Sequence, residues 1–395
     1  MNRLNKLVAI ALPALLLAGC ELGKKEQEQV GYRGTAMVQI ADPDTKAKVG
    51  DIPAPPYELT AEMVAGDKAG TAYENVQVLG DTSVDEFNYL MQAMTTWVAP
   101  DGAPIKDAGC TYCHNPENMA SDEKYTKVVA RKMLQMTRNI NASWKPHFGN
   151  QENGGVTCWT CHRGNPVPVN NWSTAKPDPA TINGNKRGGN TPAPSVAYAS
   201  LNYDPFTDYL AGKDNIRVGG KAFPTAASKA AIQSTEKTYG LMMHMSQGLG
   251  VNCSYCHNSN NFAKWDDSRP QRVNAWYGIR MVRDINNNYI TALGDVWPAN
   301  GKGAYGNRRG PHGDPLKVNC ATCHQGVNKP LGGYKMLRDY PTLKGAAPAP
   351  VVAAASAPAE TAALDPEAVM AAAPPAAGAK LVAGTRRTKM SGSGD

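Results

Sequence analysis

Apolar positions fall into a few periodic stretches set in polar, turn-rich sequence. The first, residues 7–17, follows Arg3 and Lys6 and ends in Leu17-Ala18-Gly19-Cys20. It is shorter than the roughly 18–20 residues of a membrane-spanning helix and suits an exported segment. Further on, apolar residues recur at helical spacing in Leu90-Met91-Gln92-Ala93-Met94, in 127–140, in Leu241-Met242-Met243-His244-Met245 and in 275–289. No interior apolar run approaches a membrane span. The pattern predicts a mainly α chain with long loops and few short strands. Its organisation reads as a signal peptide (1–19), an N-terminal extension (20–59), two structured units (60–170 and 215–341) and a polar Pro/Gly/Asn-rich connection between them (171–214). Beyond 342 an Ala/Pro-rich tail to residue 395 has the composition of a flexible or locally helical extension.

Composition sharpens this picture mainly through cysteine. Of nine cysteines in 395 residues, one is Cys20 and the others form four pairs, each followed at once by histidine. They are Cys110-Thr-Tyr-Cys113-His114, Cys158-Trp-Thr-Cys161-His162, Cys253-Ser-Tyr-Cys256-His257 and Cys320-Ala-Thr-Cys323-His324. Cys-x-x-Cys-His is the attachment pattern of haem c: two thiols add to the porphyrin vinyl groups and the adjacent imidazole becomes an iron ligand. Zinc modules place their histidines further along the chain, and disulfides suit an exported protein but give no reason for a histidine after every second cysteine. The reading is four covalent haems c, so the fold is that of a multihaem cytochrome. The formal charge of +7 falls to about +5 without Arg3 and Lys6, and eight propionates carry it to about −3. No aromatic and basic stacking pattern supports nucleic-acid binding.

The two units repeat each other. Leu90-Met91-x-x-Met94 parallels Leu241-Met242-x-x-Met245, and the pattern Met-x-Arg-x-Ile-Asn begins at Met136 and again at Met281. This reads as an internally duplicated two-haem unit. Helices ahead of an attachment motif can present methionine as the sixth iron ligand. Aligning the units sets Met91 against Met242, with Met243 a close rival, and sets Met133 against Gly278. The fourth haem therefore takes its sixth ligand from elsewhere, and the free histidines His147 and His312 are both open to that role. His244 reads as a polar or propionate-facing group, and Met94, Met136 and Met245 as packing residues.

Together, the Leu-Ala-Gly-Cys20 lipobox, the four motifs, the stretches 76–87, 130–144 and 276–289, and Ser200-Leu-Asn-Tyr-Asp-Pro-Phe206 resemble the tetrahaem cytochrome subunits of purple-bacterial photosynthetic reaction centres over about residues 20–340. The resemblance implies ligand pairs His114/Met91, His162/Met133, His257/Met242 and His324/His147. It also implies lipidation at Cys20 and an electron-transfer environment around Arg272. Residues 101–107 depart from the pattern as a small insertion.

The implied role is electron relay rather than catalysis. The photo-oxidised bacteriochlorophyll pair is re-reduced with electrons from a soluble periplasmic cytochrome c or high-potential iron-sulfur protein. The implied partners are the reaction-centre L and M subunits, with H and the core light-harvesting antenna as further contacts, and membrane lipid through Cys20. That sets the chain at the periplasmic face of the photosynthetic inner membrane. Two other readings are a lipid-anchored respiratory conduit or reductase, which would leave an iron position open, and a haem-bearing assembly subunit without light-driven redox change.

Overall fold

In the computed structural model the described residues are 26–29, 38–41, 49–100, 108–174, 192–218, 232–297, 302–303 and 306–345. The signal segment, Cys20, the 101–107 insertion and the tail beyond 345 lie outside them. The described chain is mainly helical. Helices α1 (Val84–Val98) and α2 (Tyr125–Ser143) precede the short α3 (Cys158–His162), and α4 (Ile232–Leu249) and α5 (Gln271–Asp284) precede the short α6 (Cys320–His324). Strand pairing is confined to two antiparallel ladders, β1 (Glu26–Gln29) with β2 (Val38–Ala41) and β3 (Lys302–Gly303) with β4 (Gly306–Asn307). Among the described residues no helix is long and apolar enough to cross a membrane.

Local chemistry sets the helix ends. At α1 the Glu86 N–H donates to Ser83 Oγ and the Ser83 N–H donates to a Glu86 carboxylate oxygen, a capping box that satisfies two orphan donors. The α5 helix loosens into a π-helical stretch at Ile285–Ile290.

Three apolar clusters hold the helices. One surrounds α1 with Leu79, Tyr89, Leu90 and Trp97, and takes in Leu337, Tyr340 and Leu343 from the far end of the described chain. A second packs Phe206, Tyr209 and Leu210 against Leu241 of α4 and Ile279 and Val282 of α5. The third joins Ile140 and Val156 to Met281, Ile285 and Ile290. Residues 331–343 thus close the core beneath the first helix: Tyr89 Oη donates to the Asp339 carbonyl at 3.1 Å, and Arg138 Nε to the Thr342 carbonyl at 2.9 Å.

Candidate haem-binding site

The four motifs adopt two local shapes. The first and third are 3-10 turns, Gly109–Tyr112 and Cys253–Tyr255. Each turn is followed by asparagine side chains accepting from backbone two residues on (Asn115 from Glu117, Asn118 from Ala120, Asn258 from Asn260). The second and fourth are the single helical turns α3 and α6. In these the Thr157 N–H donates to Thr160 Oγ1 and the Asn319 N–H to Thr322 Oγ1, both at 3.0 Å. Each ends in a left-handed pair, Arg163-Gly164 (φ 47° and 80°) or Gln325-Gly326 (φ 50° and 84°). Glycine takes that conformation freely, whereas arginine and glutamine are forced into it by the reversal.

These shapes orient every motif histidine in the same way. Nδ1 faces a backbone carbonyl in each: His114 that of Met119 (2.9 Å), His162 that of Asn165 (2.8 Å), His257 that of Phe262 (3.1 Å) and His324 that of Val327 (3.0 Å). A proton on Nδ1 donates to the carbonyl and leaves Nε2 with its lone pair for a metal. Burial lowers the pKa of His162 to about 4 despite the Asn165 carbonyl, and Arg308 adds to the lowering. Burial likewise brings His324 to about 4 and lowers His257, helped by Arg272. The neutral imidazole so favoured is the ligating form.

The fourth motif has a partner ring. His147, in the turn after α2, stands with its ring centroid 6.2 Å from that of His324, the planes 80° apart. Its own Nδ1 faces the Asn274 carbonyl at 2.9 Å, again freeing Nε2. A metal–imidazole bond of about 2 Å on each side, plus about 1.1 Å from nitrogen to ring centre, places two such centroids a little over 6 Å apart. The observed separation equals that spacing. Gly278 makes the room: a Cβ there would lie 2.7 Å from His147 Cε1 and 2.8 Å from Nδ1. The position that aligns with Met133 is occupied by the imidazole itself. The other histidine left open by the sequence, His312, is exposed on a turn.

Met91 on α1 and Met133 on α2 line one cavity of about 1290 Å³ together with His114, His162, His147 and His324. Single-ligand pockets run to roughly 300–1,000 Å³, so this volume exceeds that of an ordinary single-ligand site. Met242 on α4 and His257 lie outside it. Beside His257, Arg272 Nη1 donates to the Lys264 carbonyl (2.9 Å) and Ser268 Oγ (2.8 Å), and its guanidinium carbon sits 4.1 Å from the Trp265 ring centre. His244 is buried with Nε2 unpartnered and its ring against Phe206 at 4.6 Å.

Rival uses of the cysteines find little support. Among the described residues no group of three or more His, Cys, Asp or Glu could hold a metal ion. Burial raises the thiols of Cys113 and Cys256 to about 11 and those of Cys158 and Cys320 to about 12, which opposes thiolate chemistry. One disulfide is present, Cys161 to Cys323, with Cα atoms 4.4 Å apart, and the other six motif cysteines are free. That bond and haem attachment at the same two sulfurs exclude each other. The contact does set the second and fourth motifs against one another.

Three features have no forerunner in the sequence reading. They are the Nδ1 carbonyl acceptors, the work of Asn141 and Asn286, and Arg308. Only the asparagines carried a signal, as the last residue of the repeated Met-x-Arg-x-Ile-Asn pattern. Asn141 accepts from the Val156 N–H (2.7 Å) and donates to the Val156 and Leu343 carbonyls (both 3.0 Å). Asn286 accepts from the Val318 N–H (2.9 Å) and donates to the Val318 (3.0 Å) and Leu210 (2.9 Å) carbonyls. Each thereby pins the chain two residues ahead of the next attachment motif.

Comparison with known proteins supplies the family. The family model of the photosynthetic reaction centre cytochrome c subunit matches residues 21–344. The subunit of Rubrivivax gelatinosus is 49% identical over 358 residues, covering 90% of this chain and 92% of its own. That of Thermochromatium tepidum is 46% identical over 355 residues (90% and 84%), and that of Roseobacter denitrificans 37% over 329 (80% and 84%). With four Cys-x-x-Cys-His turns, each with its histidine Nδ1 turned to a backbone carbonyl, inside the matched span, the chain belongs to the photosynthetic reaction centre cytochrome c subunit family.

Proposed function

We propose that this chain, an electron-transfer subunit rather than an enzyme, carries four covalent haems c. Through them it re-reduces the photo-oxidised bacteriochlorophyll pair with electrons from a soluble periplasmic cytochrome c or high-potential iron-sulfur protein. The observation that carries the reading is the His147–His324 pair, which fits one iron at the single motif whose aligned methionine is missing. The attachment residues are Cys110, Cys113, Cys158, Cys161, Cys253, Cys256, Cys320 and Cys323. The iron ligands are His114 with Met91, His162 with Met133, His257 with Met242 and His324 with His147. When bound, the haems supply one-electron chemistry. The protein orients the imidazoles, excludes water and sets potentials through ligand type, burial and charge.

The two-haem unit is duplicated in this reading. Its support is local geometry: two motif shapes in the same order, the matched bonds of Asn141 and Asn286, and the Gly164 N–H on the Trp97 carbonyl (2.9 Å) beside the Gly326 N–H on the Gly248 carbonyl (2.8 Å). The proposed divisions remain 1–19, 20–59, 60–170, 171–214, 215–341 and 342–395. Cys20 is the lipidated residue, holding the chain at the periplasmic face of the membrane. Its neighbours in the complex are the L and M subunits, with H and the core light-harvesting antenna as further contacts. Arg272, beside His257, serves the site nearest the photo-oxidised pigment.

Flash excitation of native membranes tests the relay. With the haems reduced beforehand, α-band bleaching must match pigment re-reduction in time, and pigment recovery with no haem response sinks the donor assignment. Peptide mass spectrometry tests the attachment. Haem is expected on Cys158/Cys161 and Cys320/Cys323, and a Cys161–Cys323 disulfide in the mature protein overturns the four-haem count.

A further inference from the structure

The large cavity has one polar corner that no iron ligand uses. Arg308, 5% exposed, donates through Nη2 to the Tyr112 hydroxyl at 2.8 Å, while its Nε and Nη1 are buried without a partner. Two more unpartnered buried atoms line the same cavity, the indole Nε1 of Trp297 and the hydroxyl of Tyr125. Those rings meet edge to face, with centroids 6.5 Å apart. Tyr125 opens α2 next to Thr126, whose Oγ1 donates to the Tyr112 carbonyl, so Tyr112 links the start of α2 at its backbone to Arg308 at its hydroxyl. Among the described residues no carboxylate pairs with Arg308.

A buried guanidinium with two idle donors is costly unless an anion answers it. A hydroxyl and an indole N–H, also unpartnered, line the same cavity. The fork of an arginine matches a carboxylate in two parallel hydrogen bonds, and the neutral donors supply the rest of a carboxylate's coordination. The cavity wall around them is otherwise largely apolar, so the anion must belong to a group that fills the cavity rather than to bulk solvent. A porphyrin has two such carboxylates, and α2, which begins with Tyr125, also carries Met133 two turns on.

We infer that Arg308, with Trp297 and Tyr125, receives a propionate carboxylate of the haem attached at Cys158 and Cys161. Arg308 thereby acts as a positioning residue that raises the potential of that haem. The inference rests on the haem assignment above. A cation held against the macrocycle stabilises its less positive, ferrous state, so the effect has a definite sign.

The test uses the intact membrane complex. Redox titration at the α-band of Arg308→Gln is expected to shift the ferric/ferrous ratio of one haem component about tenfold toward ferric, a fall of 59 mV for a one-electron couple. Arg308→Lys should recover at least half of it. In redox-difference infrared spectra, with propionates isotopically labelled through 5-aminolevulinate, a carboxylate band is expected to move in Arg308→Gln and also in Trp297→Phe, which loses only the N–H. An Arg308→Gln complex with full haem content and unchanged midpoints overturns the inference. So do unshifted propionate bands in Trp297→Phe, the deciding variant if Arg308→Gln fails to assemble. A low pyridine-haemochrome count in the unmutated complex would instead indict the haem assignment, so the two failures are distinguishable.

Discussion

The segments 84–164 and 235–326, the two halves of the proposed repeat, share a set of backbone anchors and differ in a few side chains. In both, a long helix packs on an attachment turn, a left-handed X-Gly pair returns the chain, and an asparagine pins the chain before the next motif. Where the first uses Trp97, 1% exposed and edge-on to Tyr340 at 4.6 Å, the second uses Gly248, whose missing Cβ would sit 3.2 Å from the Ala321 nitrogen. Where the first has Met133, the second has Gly278 and borrows His147. Backbone anchors are held fixed because a buried polar group without its partner is expensive. Side chains at the ligand positions can change provided another part of the chain supplies the donor.

Removing the borrowed ring should break the comparison most severely. His147→Gly is expected to abolish the low-spin signal of a bis-histidine haem in electron paramagnetic resonance and to displace that component's ferric/ferrous balance about a hundredfold or more, ~120 mV. The other three components should stay in place. Restoring the repeat is the next largest change. Gly278→Met drives a side chain into the His147 ring, at an overpacking cost of about 1–3 kcal/mol, and should convert the site toward His/Met ligation with a raised potential. An unchanged spectrum in that variant would mean that the two positions are not equivalent.

The anchors sharpen the comparison more gently. Asn141→Ala and Asn286→Ala each strand buried backbone groups and should each cost about 2–4 kcal/mol in denaturant unfolding. Similar losses are expected, and a large inequality would count against a shared role. Smallest of all is Asp81→Ala. Asp81 pairs with Arg138 at 3.2 Å, but its side chain is 66% exposed, and Arg138 keeps the Val78 and Thr342 carbonyls. The expected cost is about 0–1 kcal/mol.

Much of this was legible in the sequence, because haem attachment is written in contiguous residues. The four motifs, the helices ahead of them and the gap at Gly278 all follow from spacing. The choice between His147 and His312 does not: spacing leaves both open, the family resemblance points to His147, and the 2.7 Å between the His147 ring and a Cβ at Gly278 supports that proposal. The Nδ1 acceptors escaped notice because they are backbone carbonyls, three or five residues on, and any residue can supply one. Arg308 escaped because a buried arginine looks like a surface one until its surroundings are known. The packing of 331–343 against α1 has no local signature either, being a match of apolar surfaces from distant parts of the chain.

The crossing of His147 to the fourth motif also bears on how such a protein is made. Its ring is synthesised early, and the turn bearing His324 comes near the end of the described chain. Until then the imidazole lacks its His324 neighbour, and Leu337, Tyr340 and Leu343 have yet to close the core beneath α1. Completion of the fourth motif and sealing of the first core therefore both wait on the last described part of the chain, 320–343.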